Sequence, residues 1–174
     1  PIYSDGNHGK SCAGLISGSS ITLGATDKFH FGSTVDIRAT AMGTANKYVV
    51  VYYDGSNSAK GEAVVGSVVN NVISFGSAVQ FSQGNNAYLV NVSGDLNTTD
   101  KFVVFYYNGI NNAYGTIVIG TMSGTSCSFS SGIVLNSKGT QHLRIEVNPS
   151  ATYSGQFVTV YQDDQPNDGR ACLG

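Results

Sequence analysis

Two carboxylates at a fixed separation, one held protonated by its surroundings, are enough to hydrolyse a glycosidic bond. This sequence holds only two glutamates, Glu62 and Glu146, in unlike contexts, and its aspartates gather in Gly-, Asn- and Ser-rich turns, where Asp bonds its own local backbone. His8, His30 and His142 stand apart, without the i, i+2 or i, i+4 partners of a metal or triad site, and read as ordinary surface or half-buried histidines. Neither CxxC nor HxxxH spacing occurs, so no zinc site is expected. No Gly-x-Ser-x-Gly nucleophile elbow occurs, and the glycines punctuate hairpins where a phosphate or dinucleotide loop would have them open a helix. Arg38, Arg144 and Arg170 are the residues for a carboxylate clamp, but they read as falling in different registers of the chain. The expectation is a protein that is not an enzyme.

Binding chemistry is better represented. An aromatic residue followed by acids and amides recurs as Tyr53-Asp54-Gly55-Ser56-Asn57, Tyr107-Asn108-Gly109-Ile110-Asn111-Asn112 and Tyr161-Gln162-Asp163-Asp164, with a shortened copy at Tyr3-Ser4-Asp5-Gly6-Asn7. Tyrosine stacks on the apolar face of a sugar ring while Asp and Asn satisfy vicinal hydroxyls, and repeated weak sites gain by avidity. The expected ligand-binding residues are therefore Tyr53, Asp54, Asn57, Tyr107, Asn108, Asn111, Tyr161, Asp163 and Asp164, with glycans or other cell-surface partners as ligands. The competing explanation is that Asp-Gly and Asn-Gly are simply tight turn formers. Asp163, Asp164, Asn167 and Asp168 supply oxygen enough for Ca2+, without the spacing of an EF-hand.

Cys12 and Cys172 occupy one repeat position, aligned with Val64 and Val118, and Cys127 aligns with Ile21 and Ile73. Each reads either as a small buried hydrophobe or, for Cys12 and Cys172, as a disulfide within the chain or between neighbours, leaving Cys127 odd. Asn91-Val92-Ser93 and Asn97-Thr98-Thr99 are glycosylation sequons, pointing to an extracellular or cell- or virion-surface location.

The elements that position these residues are strands. Among 174 residues, valine and isoleucine outnumber leucine, Tyr and Phe total 10 and 8, and the helix formers Glu and Met are nearly missing, which gives an all-β chain. A net charge of −2 from nine scattered basic residues argues against nucleic acid, and no apolar run reaches a membrane span. Pro1 at the start, without an initiator methionine or signal peptide, points to a processed product or a segment of something longer.

Four segments superpose, beginning at Gly9, Gly61, Gly115 and Gly169, at separations of 52, 54 and 54 residues. They read Gly9-Lys10-Ser11-Cys12-Ala13-Gly14, Gly61-Glu62-Ala63-Val64-Val65-Gly66, Gly115-Thr116-Ile117-Val118-Ile119-Gly120 and Gly169-Arg170-Ala171-Cys172-Leu173-Gly174. Downstream come Ile21-Thr22-Leu23-Gly24, Ile73-Ser74-Phe75-Gly76 and Cys127-Ser128-Phe129-Ser130. One period predicts four strands, in the second copy over 47–53, 61–68, 72–81 and 87–92, the first buried on both faces. The units run over about 1–50, 51–104 and 105–160, with a partial copy at 161–174, in a single repeat domain.

This pattern resembles the tandem blade-type repeats of large surface and fibre-like proteins, including tail-fibre-like proteins of marine viruses. The resemblance covers essentially the whole chain and implies a β-propeller-like scaffold whose loops carry any binding. A sialidase-like hydrolase would show Ser-x-Asp-x-Gly-x-x-Trp boxes, which the turn at Tyr53 to Gly61 approaches, but the chain has no tryptophan. Both termini hold the same part of the repeat, so a closed three-blade ring would duplicate strands. Two arrangements remain: a longer propeller, or chains that complete one another in a homo-oligomer, ring or filament. A β-trefoil is the alternative fold. The expected function is a non-enzymatic extracellular recognition or adhesion module that binds glycans through its turns, or else a self-assembling structural subunit.

Overall fold

Strand-favouring runs broken by Gly, Asn and Asp give an extended chain throughout. The structure, a computed structural model, describes residues 2–5, 8–84, 86–98, 100–110, 112–164 and 168–174, with the backbone alone at 3–5. Among these residues there is no α-helix, only a short 3-10 turn at Ala151–Tyr153. The strands are β1 (Ile2–Asp5), β2 (His8–Ser17), β3 (Ser20–His30), β4 (Thr34–Ala41), β5 (Lys47–Asp54), β6 (Lys60–Val69), β7 (Val72–Phe75), β8 (Val79–Gln80), β9 (Ala87–Gly94), β10 (Lys101–Asn108), β11 (Tyr114–Ser123), β12 (Ser126–Phe129), β13 (Ile133–Val147), β14 (Phe157–Asp163) and β15 (Gly169–Leu173).

They pair antiparallel into three sheets: β1-β2-β3, β4-β5-β6-β7 with β8 also on β6, and β9-β10-β11-β13-β14-β15 with β12 also on β11. The third sheet contains two units, because β13 pairs with β11 through its first half and with β14 through its second. None of the sheets closes into a barrel, so the β-trefoil alternative is not formed. The strand over 87–92, expected to close the second unit, instead opens the third by pairing with β10, and β4 opens the second. The reason is local: Ser82 Oγ accepts from Gly61 N and donates to Gly84 O, which turns the chain away from β6 after Phe81.

Successive units pack face to face with a fixed polarity. Val49, Val51, Ala63 and Val65 of the second unit form one core with Phe102, Val104, Tyr106 and Val118 of the third. The same alternation recurs on both sides: Val103, Phe105 and Ile117 pack on Leu143, Ile145 and Phe157, while Phe29 packs on Val50, Tyr52 and Val64. The second strand of a middle unit is thus buried on both faces, as its unbroken apolar run predicts, with Val49 to Tyr52 all at 0% exposure. Side chains also reach between units at one period: Thr40 Oγ1 accepts from Gly94 N at 2.8 Å and Ser93 Oγ from Val147 N at 2.9 Å.

The motif glycines are required by aromatic rings. Tyr48 pairs with Gly66 and Phe102 with Gly120 across strands, each ring lying over the glycine, so that a Cβ there would overlap the ring. Each ring then meets the next phenylalanine edge-on, Tyr48 with Phe75 at 5.9 Å and Phe102 with Phe129 at 5.6 Å. Replacing Gly66 with Ala should therefore cost about 1–3 kcal/mol in urea denaturation. Gly169→Ala, where nothing lies within 4 Å of the added carbon, should cost almost nothing.

A second repeated device is a β-bulge. Asp36, Leu89 and His142, 53 residues apart, have φ of 50°, 51° and 49°, and with the residue that follows each opposes a single tyrosine, Tyr52, Tyr106 or Tyr161. The left-handed backbone costs L-residues about 1–2 kcal/mol, least for Asn and Asp. Leu89→Asn is accordingly expected to raise stability by about 1 kcal/mol, read as a higher urea midpoint at unchanged slope.

Candidate functional site

The strand register places the expected binding residues, and it moves one of them. Because Phe157 pairs with Gly174 as Tyr48 does with Gly66, Tyr161 corresponds to Tyr52 and Tyr106, and Gln162 to Tyr53 and Tyr107. Asp54, Asn108 and Asp163 then share one position at the end of the second strand. All three are buried, at 4%, 4% and 5% exposure, so these polar groups face the protein where sugar recognition would need them in solvent. Asp54 Oδ1 accepts from Ser56 N at 2.9 Å and from Ser56 Oγ, which makes it the organiser of its own turn. Asn57 and Asp164 are exposed, Tyr53, Tyr107 and Tyr161 half-buried, and Asn111 lies outside the described residues. Tyr53 and Tyr107 are bridged by Tyr88, at ring distances of 5.2 and 5.8 Å, into an aromatic row that crosses two units.

The cysteines are free thiols: Cys12 is half-buried, Cys172 exposed and Cys127 buried. The bridge between Cys12 and Cys172 considered from sequence is not made within the chain. Burial pushes the Cys127 thiol up to about 11, so it stays protonated and inert. Asn91 is buried with Oδ1 accepting from Ile145 N at 3.3 Å, which removes it as a glycan acceptor on the folded chain. Asn97 is half-buried, with Nδ2 donating to Asn148 O. At the acidic C-terminal turn, Arg170 stands 3.9 Å from Asp163 and 3.7 Å from Asp168, placing a guanidinium beside the oxygens considered for Ca2+; Asn167 lies outside the described residues. Arg38 and Arg144, expected in different registers, occupy the same bulge position, each donating to the carbonyl of the residue before it.

The densest chemistry lies where the first unit meets the second. Tyr52 and Glu62 are cross-strand partners on β5 and β6, and the Tyr52 hydroxyl donates to Glu62 Oε2 at 2.9 Å. His30, paired with Gly9 at the end of β3, brings Nδ1 to 3.3 Å from the same hydroxyl and Nε2 to 3.3 Å from Asp54 Oδ1. The Nε2 contact is close enough for an ion pair but off the hydrogen-bond line, so this buried nitrogen has no hydrogen bond. The ligating atoms of His30, Asp54 and Glu62 all lie within 4.8 Å of one another. Spacing along the chain hides this group, since residues 30, 54 and 62 share no motif. The cross-strand count around the Asp54 turn would have joined Tyr52 to Glu62, but only the packing of one unit on the next brings in His30.

The group is sheltered: Tyr52 is fully buried, and His30 and Glu62 are half-buried. Its chemistry is that of a buried polar network. Burial first, and then the Glu62 charge, push the Tyr52 phenol far above its ordinary range, and burial raises that of Tyr106. The folded state therefore holds protons that the unfolded state releases near pH 10, so their contribution is complete below about pH 10 and lost above it. Urea midpoints should fall above about pH 10, and the double replacement Tyr52→Phe with Tyr106→Phe should flatten that decline. Comparison with family models, with curated proteins and with solved structures found no match for this chain.

Proposed function

We propose that the chain is a non-enzymatic structural repeat module, blade-like in construction, which associates head to tail with further copies of itself at an extracellular or virion surface. The observation that carries this reading is the state of its two outer faces. Val158, Val160 and Leu173 stand where Val49, Val51 and Val65 pack on the next unit, yet they are 43%, 44% and 72% exposed against 0%, 0% and 1%. At the other end Ile21 and Leu23 stand where Ile73 and Phe75 pack on the preceding unit, and both are exposed. One outer face is thus the donor half of the internal junction and the other its acceptor half. A heterologous contact of this kind closes into a ring or runs on as a filament.

The second reading, glycan binding, draws its support from the half-exposed row Tyr53, Tyr88 and Tyr107, which offers an aromatic stripe to a sugar chain. Binding to immobilised glycans that is abolished by Tyr88→Ala would favour it; binding indifferent to that change would remove this site.

Light scattering tests the first reading. The wild type should exceed monomer mass increasingly with concentration, and should do so in the presence of reductant, since the matching faces are apolar and no disulfide forms within the chain. Val160→Asp and Leu23→Asp should each be monomeric alone, at little cost in stability because both positions are exposed. An equimolar mixture of the two should give dimers and nothing larger, because each variant retains the face the other has lost. A wild type that stays monomeric at all concentrations would contradict the proposal.

A further inference from the structure

We infer that the junction between the first and second units is a binding site for a divalent transition-metal ion, held by His30, Asp54 and Glu62. The three ligating atoms span at most 4.8 Å, and four-coordinate zinc with bonds of about 2.0–2.1 Å needs its ligands about 3.4 Å apart. Side-chain adjustments of about 1 Å therefore close the site. One imidazole and two carboxylates form a donor set suited to Zn2+ and its neighbours, with a fourth position for water. The side chains around them supply orientation: Ser56 holds the Asp54 carboxylate and the Tyr52 hydroxyl holds that of Glu62.

Two further observations separate this site from an incidental cluster of acids. His30 Nε2 is buried and lacks a hydrogen bond, although a carboxylate oxygen lies 3.3 Å away. A cation shared by both groups resolves that mismatch and offsets the cost of holding two carboxylates together in a sheltered place. In addition, the repeat supplies its own controls. The same three positions hold Ser82, Asn108 and Thr116 at the second junction, and Asn136, Asp163 and Arg170 at the third. Those junctions are held by neutral hydrogen bonds or by an internal cation, such as Asn136 Nδ2 donating to Thr140 Oγ1 at 2.9 Å or Arg170 beside Asp163. The scaffold alone thus does not call for three ligating residues, yet the first junction has them. The His30 side chain is 17% exposed, which leaves a route for the ion.

The test uses the full chain, stripped with chelator, carrying Cys12→Ser and Cys172→Ser so that accessible thiols cannot bind metal. Calorimetric titration with Zn2+ should show one ion per chain, and Co2+ should give the visible absorption of an N/O site without thiolate charge transfer. His30→Ala and Glu62→Gln should each weaken binding at least about tenfold, while His8→Ala and His142→Ala leave it unchanged. The conservative Glu62→Gln change keeps the test decisive if His30→Ala does not fold, with far-ultraviolet dichroism as the check. No saturable binding of Zn2+ or Co2+, or binding that persists in folded Glu62→Gln, would overturn the assignment.

Discussion

The interior of this structure depends on one constraint: each middle unit must bury one face of its sheet on the unit before it and the other face on the unit after it. A strand that meets this demand has no solvent side, so β5 and β10 are apolar at every position from Val49 to Tyr52 and from Phe102 to Tyr106. Close approach of two such sheets leaves no room for uniform side-chain size. Tyr48 and Phe102 fill the space, and Gly66 and Gly120 yield it. The periodic Gly-x-x-x-x-Gly motif is therefore the sequence record of a packing problem.

The polar residues obey the same constraint. Thr40, Asn91 and Ser93 are spent on backbone N–H groups of the following unit, which a stack of purely apolar faces would leave unpaired at the bulged first strands. Asp54 is spent on its own turn. What looks like a sugar-binding composition is in large part the hydrogen-bonding inventory of a chain with few charges and many tight turns. The exposed Asn57 and Asp164 and the half-buried aromatic row through Tyr88 are the parts of that composition left accessible.

The all-β class, the period of about 54 residues and the doubly buried second strand could all be read from spacing and residue type. Three things could not. The frame of the repeat slipped by one strand, because Ala87–Gly94 is as strand-like as any neighbour and only its pairing with β10 assigns it to the third unit. The bulges leave no sequence mark, since Leu89 adopts φ of 51° where the local rule asks for Gly or Asn. The step from Gln162 to its partner Gly169 is one residue shorter than that from Tyr53 to Gly61, which hid the correspondence of Tyr161 with Tyr52. The cluster of His30, Asp54 and Glu62 is illegible in the sequence for a related reason: it is assembled across the interface of two units, and of its members only Asp54 belongs to the recurrent turn.

Electron microscopy of the wild-type chain at high concentration tests the central claim, that the outer faces are the two halves of the internal junction, most directly. The account predicts rings or filaments in which sheets follow one another at an unbroken spacing of about 10 Å, with no change at the boundary between copies. Separate particles the size of one chain, or copies joined through strand edges in place of sheet faces, would contradict it.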